Sequence, residues 1–550
     1  MKERMVRFLL FAILVFLPYR LYSQSGHELV IPDYSTNGHY LNDDIMADTT
    51  ATGSRVDPDR VYVLKRNGLY LVNVHIRNTG WALRIKAEEG TGAKPVVYGF
   101  INTSTSKYPN QVFDVEGDLY LKKIAVVGWY DYSFDEISKM PPNVITVLAA
   151  GPSLYIDSCV LSGGKLAIIQ TTSAARVVKV TNTIMAQSGN LYATNIGNGR
   201  PIDLRNASCD SLVVQNCSMT DYTDRTIRHY SSIGSIGYLL FDHNTVVNAM
   251  AMHGCLGLGM VGKVVQITNN VFVDNFALGN DSTDDVRLAE FGDPGELDQF
   301  GNNRMTFVGS VPNDSTQWIV RNNYYSVSPA IQSFYDSHAN IGLGNLTPLT
   351  WNENAKLGAD SVKAFTKDNI TLTKPTRDLH LFAEWYWKSP PDGPGKQKAS
   401  TGFDSTVDYQ RPEVAYYSNK ADFNLAYNTS AKAYTGADNG SPAGDLNWYP
   451  GITAVNKNDE TIPVRFSLEQ NYPNPFNPST VIKYSLPKAQ LVTLKVYNLL
   501  GQKVTSLVNE KQSSGDHEVT FNANKLASGI YFYELQSGNF IQTKKMLLLK

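Results

Sequence analysis

The chain has 550 residues, enough for about three or four domains of ordinary size. Its 49 lysine and arginine residues against 51 aspartate and glutamate residues give a net charge of −2, which argues against a protein that holds nucleic acid by bulk positive charge. Hydrophobic residues make up 42% of the chain, so a core can form and global disorder is excluded. Only four cysteines are present, which excludes a fold built on disulfides. Abundant Gly, Asn, Thr, Val and Tyr favour strands and tight turns, so we expect a large, β-rich protein.

The first residues predict a secretory signal peptide over residues 1–23. Lys2, Arg4 and Arg7 are followed by an apolar run from Phe8 to Leu17, which Pro18 ends. Ten residues span about 15 Å as a helix, half the core of a bilayer, so the alternative of a membrane anchor is disfavoured. We therefore expect an exported protein. The cysteines are expected to be buried, unpaired thiols in the interior of a repeat: Cys159, Cys209, Cys217 and Cys255.

The middle of the chain repeats a pattern in which alternating apolar residues flank a short polar pair rich in Asn. The clearest copies align one column of residues: Ser158, Asn182, Asn216, His243, Asn269 and Asn322. Weaker copies occur at Leu71–Val74 and Leu121–Ile124. Steps of mostly 24 to 34 residues predict a parallel β-helix with three short strands per coil, because strands of a sandwich come about every 8–12 residues. Asn is expected at a corner, since it tolerates the left-handed conformation and its amide can bond to the same amide one coil above.

Two stretches, Arg60–Tyr70 and Ala421–Trp448, carry a resemblance to a known fold. They resemble the right-handed β-helices of the pectate-lyase-like superfamily, and within it uncharacterised bacterial β-helix families, over roughly residues 55–450. The resemblance implies an all-β chain with a right-handed parallel β-helix domain over residues 24–450. It does not fix the activity, because that superfamily holds lyases, hydrolases, esterases and adhesins.

The last part of the chain predicts a second module over residues 467–550, after a polar linker at residues 451–466. The proline-rich loop Asn471–Thr480 cannot lie inside a strand, and alternating strands separated by glycine turns follow it. This spacing predicts a small Ig-like β-sandwich. The module carries nine lysines and five acidic residues, a net charge of +4 that leaves −6 for the remainder.

The module closely resembles the type A C-terminal sorting domain of the type IX secretion system. The loop Asn471–Thr480, the turn Leu499–Val504, Gly529–Tyr531 and the terminal Lys544–Lys550 carry the likeness. The resemblance implies a secreted or surface-attached protein whose partner is the type IX export machinery, reached through a Sec signal peptide. The alternative is an ordinary adhesive Ig-like domain. We expect a monomer with no nucleic-acid partner.

The pectate-lyase-like resemblance implies a sugar groove on the exposed face of the strand that follows each corner and loop. For Lys165–Gln170, Pro201–Asn206 and Arg225–Tyr230, alternation predicts two sets of side chains. The inward set is Ile168, Ile202, Leu204 and Ile227, and the outward set is Asp203, Arg205, Thr226 and Arg228. Because coils are about 4.8 Å apart, Arg205 and Arg228 are expected on neighbouring coils, with His253 approaching from the next.

This cluster suits a polysaccharide lyase acting on an acidic glycan. β-Elimination requires a cation to neutralise the uronate carboxylate and a base to take the α proton. We therefore predict Arg228 as base or clamp and Arg205 as carboxylate clamp, with His253 as a further catalytic residue. The predicted calcium ligands are Asp203, Asp221 and Asp224, and the predicted substrate contacts are Lys165, Tyr222, Tyr230, Trp385 and Trp387.

Several alternatives stay open. The charged residues can simply form surface ion pairs. The β-helix can be a non-catalytic glycan-binding or adhesin-like protein, or a glycoside hydrolase with two carboxylates, although no tight pair of aspartates occurs. The tryptophans can cap the end of the β-helix instead of stacking on sugars. The acidic segment 274–298, with a net charge of −7, is either a second calcium site or a solvated loop. Motifs for nucleotide binding, zinc proteolysis and α/β-hydrolases are absent.

Overall fold

The protein divides into two compact units, residues 1–452 and 453–550, and the division falls within the predicted linker at residues 451–466. The computed structural model describes residues 24–128, 141–189, 198–229, 233–251, 254–275, 306–311, 315–338, 347–349, 356–358, 361–376, 379–389, 392–393, 395–396, 424–449, 451, 467–468, 470–471, 473–486, 490–512, 515–538 and 540–549. The predicted signal peptide therefore lies outside the described residues.

Three sheets form the first unit, and each coil contributes one strand to each sheet in turn. Sheet 1 contains Glu28–Ile31, Val61–Leu64, Leu83–Ala87, Leu119–Lys122, Ser153–Asp157, Ala175–Thr181, Cys209–Gln215, Ser235–Asp242, the second half of Leu256–Thr268, and Gln317–Arg321, with Gln24–Ser25 added antiparallel at its start. Sheet 2 contains Leu69–Val72, Val96–Gly99, Ala125–Val127, Val160–Gly164, Ile184–Ser188, Ser218–Tyr222, Thr245–Ala249, Val271–Asn275, Asn323–Ser326 and Phe365–Lys367. Sheet 3 contains Ile76–Arg77, Phe113–Val115, Asn143–Val147, Ala167–Thr171, Arg200–Arg205, Ile227–His229, the first half of Leu256–Thr268, Thr306–Ser310 and Thr347–Leu349.

Strands of successive coils pair in parallel in all three sheets, as in the pairs of Val178 with Leu212 in sheet 1 and of Ile169 with Ile202 in sheet 3. The strand Leu256–Thr268 runs from sheet 3 into sheet 1 without a break. Inward-facing side chains of the three sheets form one continuous core, which includes every residue predicted to point inward. The predicted parallel β-helix is therefore confirmed.

The predicted corner column is also confirmed. All six of its residues, from Ser158 to Asn322, adopt left-handed backbone conformations with φ between 50° and 58°. Lys123, in one weaker copy, has φ 59°. The other weaker copy was wrong: Leu71–Val74 begins inside a strand of sheet 2, and the left-handed corner of that coil is Asn67, with φ 60°.

The predicted amide ladder forms at two steps of the corner column. Asn216 Nδ2 donates to Asn182 Oδ1 at 2.7 Å, and Asn322 Nδ2 donates to Asn269 Oδ1 at 3.2 Å. Between these steps the corner amides donate to aspartates of sheet 1, as Asn269 does to Asp242 Oδ1 at 2.9 Å. The ladder is thus discontinuous along the stack.

A second, fully buried ladder lies one residue further along the chain, and the sequence analysis missed it. Asn244 Nδ2 donates to Asn270 Oδ1 at 3.1 Å, and Asn270 Nδ2 donates to Asn323 Oδ1 at 2.8 Å. All three side chains are 0% exposed. This inner ladder satisfies polar groups that the corner would otherwise bury without partners.

Short helices and a return segment complete the first unit. Among the described residues of this unit, the helices are Tyr34–Asn37, Leu41–Met46, Pro329–Ser337, Ser361–Ala364 and His380–Trp387, with 3₁₀ turns at Lys432–Thr435 and Leu446–Trp448. Leu372–Lys374 and Asn424–Tyr427 pair antiparallel. The segment 424–449 packs Leu425, Tyr427 and Trp448 on the outer, apolar face of sheet 2. Within the described residues, no helix has the length and apolar character needed to cross a membrane.

All four cysteines are buried and free, as predicted. Burial raises the pKa of the Cys159 and Cys209 thiols to about 12, and it also raises the pKa of Cys217 and Cys255 above the ordinary value of 9.0. The interior of the β-helix therefore keeps these groups protonated and unreactive.

We expect none of the four thiols to react with a thiol reagent at pH 8 in the folded protein, and all four to react in guanidinium chloride. Because their folded pKa values are raised, the thiols contribute a stability that is complete below pH 9, and this stability is lost as the pH rises from 9 towards 12. Thiol titration and denaturation midpoints at several pH values measure both effects. A thiol that reacts rapidly in the folded state would contradict the buried placement.

The second unit is the predicted β-sandwich. Ser467–Leu468, Ser479–Leu486 and Gly515–Asn522 form one antiparallel sheet, and Lys503–Gln512, Gln490–Asn498, Gly529–Ser537 and Phe540–Leu548 form the other in that order. Side chains from both sheets, such as Ile482, Tyr484, Leu494 and Tyr533, share one core. The module therefore has a hydrophobic core of its own.

Candidate functional site

One column of polar side chains crosses the coils on the face of sheet 3 that points away from the core. In register from coil to coil, its members are Arg77, Asp114, Thr146, Gln170, Asp203 and Arg228. An arginine binds a carboxylate at each end, and Gln170 Nε2 donates to Asp203 Oδ2 at 3.0 Å. We call this set the polar column. Its buried members have hydrogen-bond partners within the column or, for Thr146, in the adjacent Asn143, so their burial is compensated.

Arg228 is bound to Asp203 at the end of the polar column. Its Nε lies 2.7 Å from Asp203 Oδ1 and its Nη2 lies 2.6 Å from Asp203 Oδ2, a bidentate pair. Asp203 is 0% exposed and Arg228 is 6% exposed. The prediction that Arg205 and Arg228 lie on neighbouring coils is correct, but the expectation that Asp203 and Arg228 are exposed was wrong, because the two form a buried ion pair.

More charges surround this pair. Arg200 Nη2 lies 2.6 Å from Asp224 Oδ2, and Arg225 Nε lies 3.8 Å from Asp224 Oδ1. Burial lowers the pKa of Arg200, which is almost completely enclosed. With Asp203 and Arg228, the described part of this charged cluster contains three arginines and two aspartates. The cluster is therefore positive by one charge.

A pocket of about 550 Å³ opens beside the end of the polar column. Its lining residues are Thr172, Ser173, Ala174, Arg205, Asn206, Ala207, Ser208, Arg228, Ile233 and Gly234. We call it the Arg205 pocket. Arg205 is exposed and its guanidinium forms no ion pair with any described residue, whereas Arg228 contributes to the wall.

The backbone at the end of strand Arg200–Arg205 presents Arg205 to this pocket. Pairing with the next coil shifts register between Asp203 and Arg205, and Arg205 has a left-handed φ of 48°. Its backbone N–H donates to Asp203 Oδ1 at 3.1 Å. The carboxylate that holds Arg228 therefore also fixes the turn that exposes Arg205. This bulge could not be read from simple alternation.

Three aromatic residues predicted to contact substrate pack against other side chains of the fold. Tyr222 is 0% exposed and its hydroxyl lies 2.6 Å from Thr226 Oγ1, so Thr226, predicted to face outward, is also enclosed. Trp385 is 2% exposed and packs against Phe382. Trp387 makes an edge contact with Phe334. The substrate-binding prediction was therefore wrong for Tyr222 and Trp385, because their rings are buried in the fold, whereas Trp387 is partly exposed and its substrate contact stays a prediction.

The three predicted calcium ligands do not converge. Asp203 binds Arg228, Asp224 binds Arg200, and Asp221 accepts hydrogen bonds from Asn248 and Thr376, each at 2.9 Å. In the described parts of the chain, no group of three or more His, Cys, Asp or Glu side chains is placed to hold a metal ion. These residues therefore do not fit a calcium site. Residues 276–298 of the acidic segment lie outside the described residues, so the calcium prediction for that segment stays a prediction.

The remaining predicted residues divide as follows. Lys165 is partly exposed, and burial lowers its pKa. It does not line the Arg205 pocket. His253 and Tyr230 lie outside the described residues. The sequence analysis missed Gln170, which lies in register with Asp203 on the neighbouring coil, and Arg200, which lies three residues before Asp203 on the same strand.

In the second unit, the proline-rich loop is bound to the last strand. Asn474 and Asn477 each precede a cis proline. Phe476 N donates to Leu547 O at 3.0 Å, and Leu549 N donates to Phe476 O at 3.0 Å. Asn471 is 2% exposed, and its Nδ2 donates to Thr480 Oγ1 at 3.0 Å across the loop. Loop and chain terminus therefore form one surface element.

Comparison with protein families identifies this second unit. Residues 470–549 match the family of secretion system C-terminal sorting domains. The protein is therefore exported by type IX secretion to the cell surface or the extracellular space, and the export machinery is its partner. Comparisons with curated proteins and with solved structures found no match for the chain.

Proposed function

We propose that this exported β-helix binds an acidic polysaccharide in the Arg205 pocket. The observation that supports the proposal is the exposed Arg205 guanidinium at a pocket of about 550 Å³, a size typical of small-ligand sites. An exposed arginine fork is suited to a carboxylate or sulfate group. The side chains of Thr172, Ser173 and Ser208 supply hydroxyl groups for sugar hydroxyls.

The charged cluster behind the wall strengthens this preference for anions. Its three arginines exceed its two aspartates, and Arg228 belongs to both the cluster and the pocket wall. No aspartate or glutamate lines the pocket among the described residues. Hence an anionic sugar meets a net positive potential and no carboxylate in the described lining of the pocket.

Binding is favoured over cleavage by the same geometry. A lyase base must accept a proton, but two guanidinium nitrogens of Arg228 already donate to Asp203. A hydrolase requires two carboxylic groups at the scissile bond, and the described pocket lining has none. Arg205 and Arg228 do line one pocket, which keeps β-elimination as the second candidate function.

We expect the full-length chain to bind polygalacturonate or alginate and to ignore neutral dextran, as measured by isothermal titration calorimetry. The Arg205→Ala variant should lose about tenfold in affinity or more, the value of one charge-assisted contact. Arg176→Ala removes an exposed arginine that pairs with Asp118 elsewhere on the β-helix, and should bind like the parent.

Equal binding by Arg205→Ala and the parent, or equal binding of dextran, would reject the proposal. The same samples test for cleavage. Unsaturated, ultraviolet-absorbing products formed by the parent protein would establish β-elimination. Arg205 would then hold a substrate that is cleaved, and not a ligand that is only bound.

A further inference from the structure

The outer face of the four-stranded sheet in the sorting domain carries an apolar patch at one end. One row crosses all four strands in register: Lys503, Tyr497, Phe532 and Lys545. The next row pairs Ile530 with Leu547. Tyr497, Phe532 and Leu547 are partly exposed, and Ile530 is 38% exposed.

A rigid turn extends this patch beyond the strands. Leu499 and Leu500 lie at the tip between strands Gln490–Asn498 and Lys503–Gln512, and they are 67% and 81% exposed. Asn498 fixes the turn, because its Oδ1 accepts from Leu500 N and from Gln502 N, both at 3.0 Å. A fixed turn that exposes two leucines to water lowers the solubility of the domain. Their exposure therefore indicates that a partner covers them. We call these leucines, with Tyr497, Phe532, Ile530 and Leu547, the sorting patch.

We propose that the sorting patch is the surface by which this domain docks on a component of the type IX export machinery. The family match shows that a partner reads this domain. The lysines at both ends of the aromatic row form no ion pair with any described residue. The partner surface therefore has an apolar centre bordered by carboxylates, which complements the apolar rows and their flanking Lys503 and Lys545.

The same sheet face supplies a matched control. Leu491 and Ile541 are 59% and 58% exposed, and they lie at the opposite end of the face. Ile541 and Leu547 lie six positions apart along one strand, a distance of about 20 Å. These residues have the same chemistry as the sorting patch but lie outside it.

The test is export of the full-length chain from a bacterium that uses type IX secretion. Leu499→Ser combined with Leu500→Ser should reduce the exported fraction at least tenfold, because it removes the two most exposed leucines of the sorting patch. Both side chains are exposed and contribute little to folding, so the variant is expected to fold like the parent. Leu491→Ser combined with Ile541→Thr should leave export within twofold of the parent. Lys503→Glu combined with Lys545→Glu should also reduce export, whereas Lys511→Glu combined with Lys525→Glu, which alters exposed lysines elsewhere, should not.

The melting temperature of each purified variant checks that the domain folds. Parent-like export of both the leucine and the lysine variants would overturn the proposal, as would an equal loss in the control variants. The proposal would also be overturned if the parent chain dimerised in size-exclusion chromatography and the Leu499→Ser, Leu500→Ser variant were a monomer with unchanged export. The sorting patch would then be a contact with a second copy of this chain. None of these outcomes depends on polysaccharide binding.

Discussion

Asp203→Ala is expected to lower the free energy of unfolding of the β-helix by about 3–5 kcal/mol, the cost of breaking a buried ion pair. The substitution removes both acceptors of the Arg228 guanidinium and also the acceptor for Gln170. Within the described part of the charged cluster, it leaves three buried arginines and one aspartate, Asp224. The arginines then face each other in a region closed to water, where an unpaired charge is costly. Rearrangement of the protein therefore recovers little of the lost free energy of unfolding.

Tryptophan fluorescence during denaturation by guanidinium chloride measures this effect. All seven tryptophans lie in residues 1–452, so the signal reports the β-helix without the sorting domain. Glu89→Ala is the control: it removes an exposed partner of Lys123 and should leave the midpoint unchanged. Asp203→Leu combined with Arg228→Met should recover most of the loss, because neither member of the buried pair is then left without the other. An Asp203→Ala variant as stable as the parent would contradict the ion pair.

The double variant at Asp203 and Arg228 also separates the effect on stability from the effect on polysaccharide binding. Asp203 Oδ1 also holds the backbone N–H that turns Arg205 towards the pocket. The recovered double variant therefore lacks this contact while remaining folded. Polysaccharide binding by the double variant is expected to stay weak even though its unfolding midpoint is restored, because it lacks both the contact that turns Arg205 and the Arg228 side chain of the pocket wall.

The path of the chain could be predicted from the sequence because Asn marks the corner of most coils. A left-handed corner is costly for most side chains, and Asn is among the few that tolerate it. Asn182, Asn216, Asn269 and Asn322 therefore mark the corners, and counting between them gives the coils. The corner at Asn67 was missed because Leu71–Val74 offers a similar apolar pattern with Asn73 two residues past Leu71.

The candidate site was predicted only in part, because alternation says which way a side chain points but not whether another group covers it. The rule placed Asp203 and Arg228 on the outer face of sheet 3, where they are. It could not indicate that the two would be buried as a pair, nor that a bulge would lie between Asp203 and Arg205, which it correctly placed outward. It also could not show that Tyr222, past a left-handed Asp221, points into the core. These outcomes depend on contacts between coils.

Asn270→Ala is expected to destabilise the β-helix by about 4 kcal/mol, because four hydrogen bonds end at this buried amide and each contributes about 1 kcal/mol. Nδ2 donates to Phe241 O at 2.9 Å and to Asn323 Oδ1 at 2.8 Å, and Oδ1 accepts from the backbone N and Nδ2 of Asn244 at 2.8 and 3.1 Å. The loss spans three coils, so the array should no longer unfold as one cooperative unit.

The control lies in the corner column. Asn182→Gly keeps the left-handed conformation at a half-buried position and removes hydrogen bonds to Asp157 and Asn216 that water can replace. We expect a loss of about 1 kcal/mol there. Tryptophan fluorescence and hydrogen exchange measure both variants, and exchange should rise first in the coils next to Asn270. An Asn270→Ala variant no less stable than Asn182→Gly would show that the inner ladder contributes no more than the corner. The stacking of the coils would then depend on the apolar core alone.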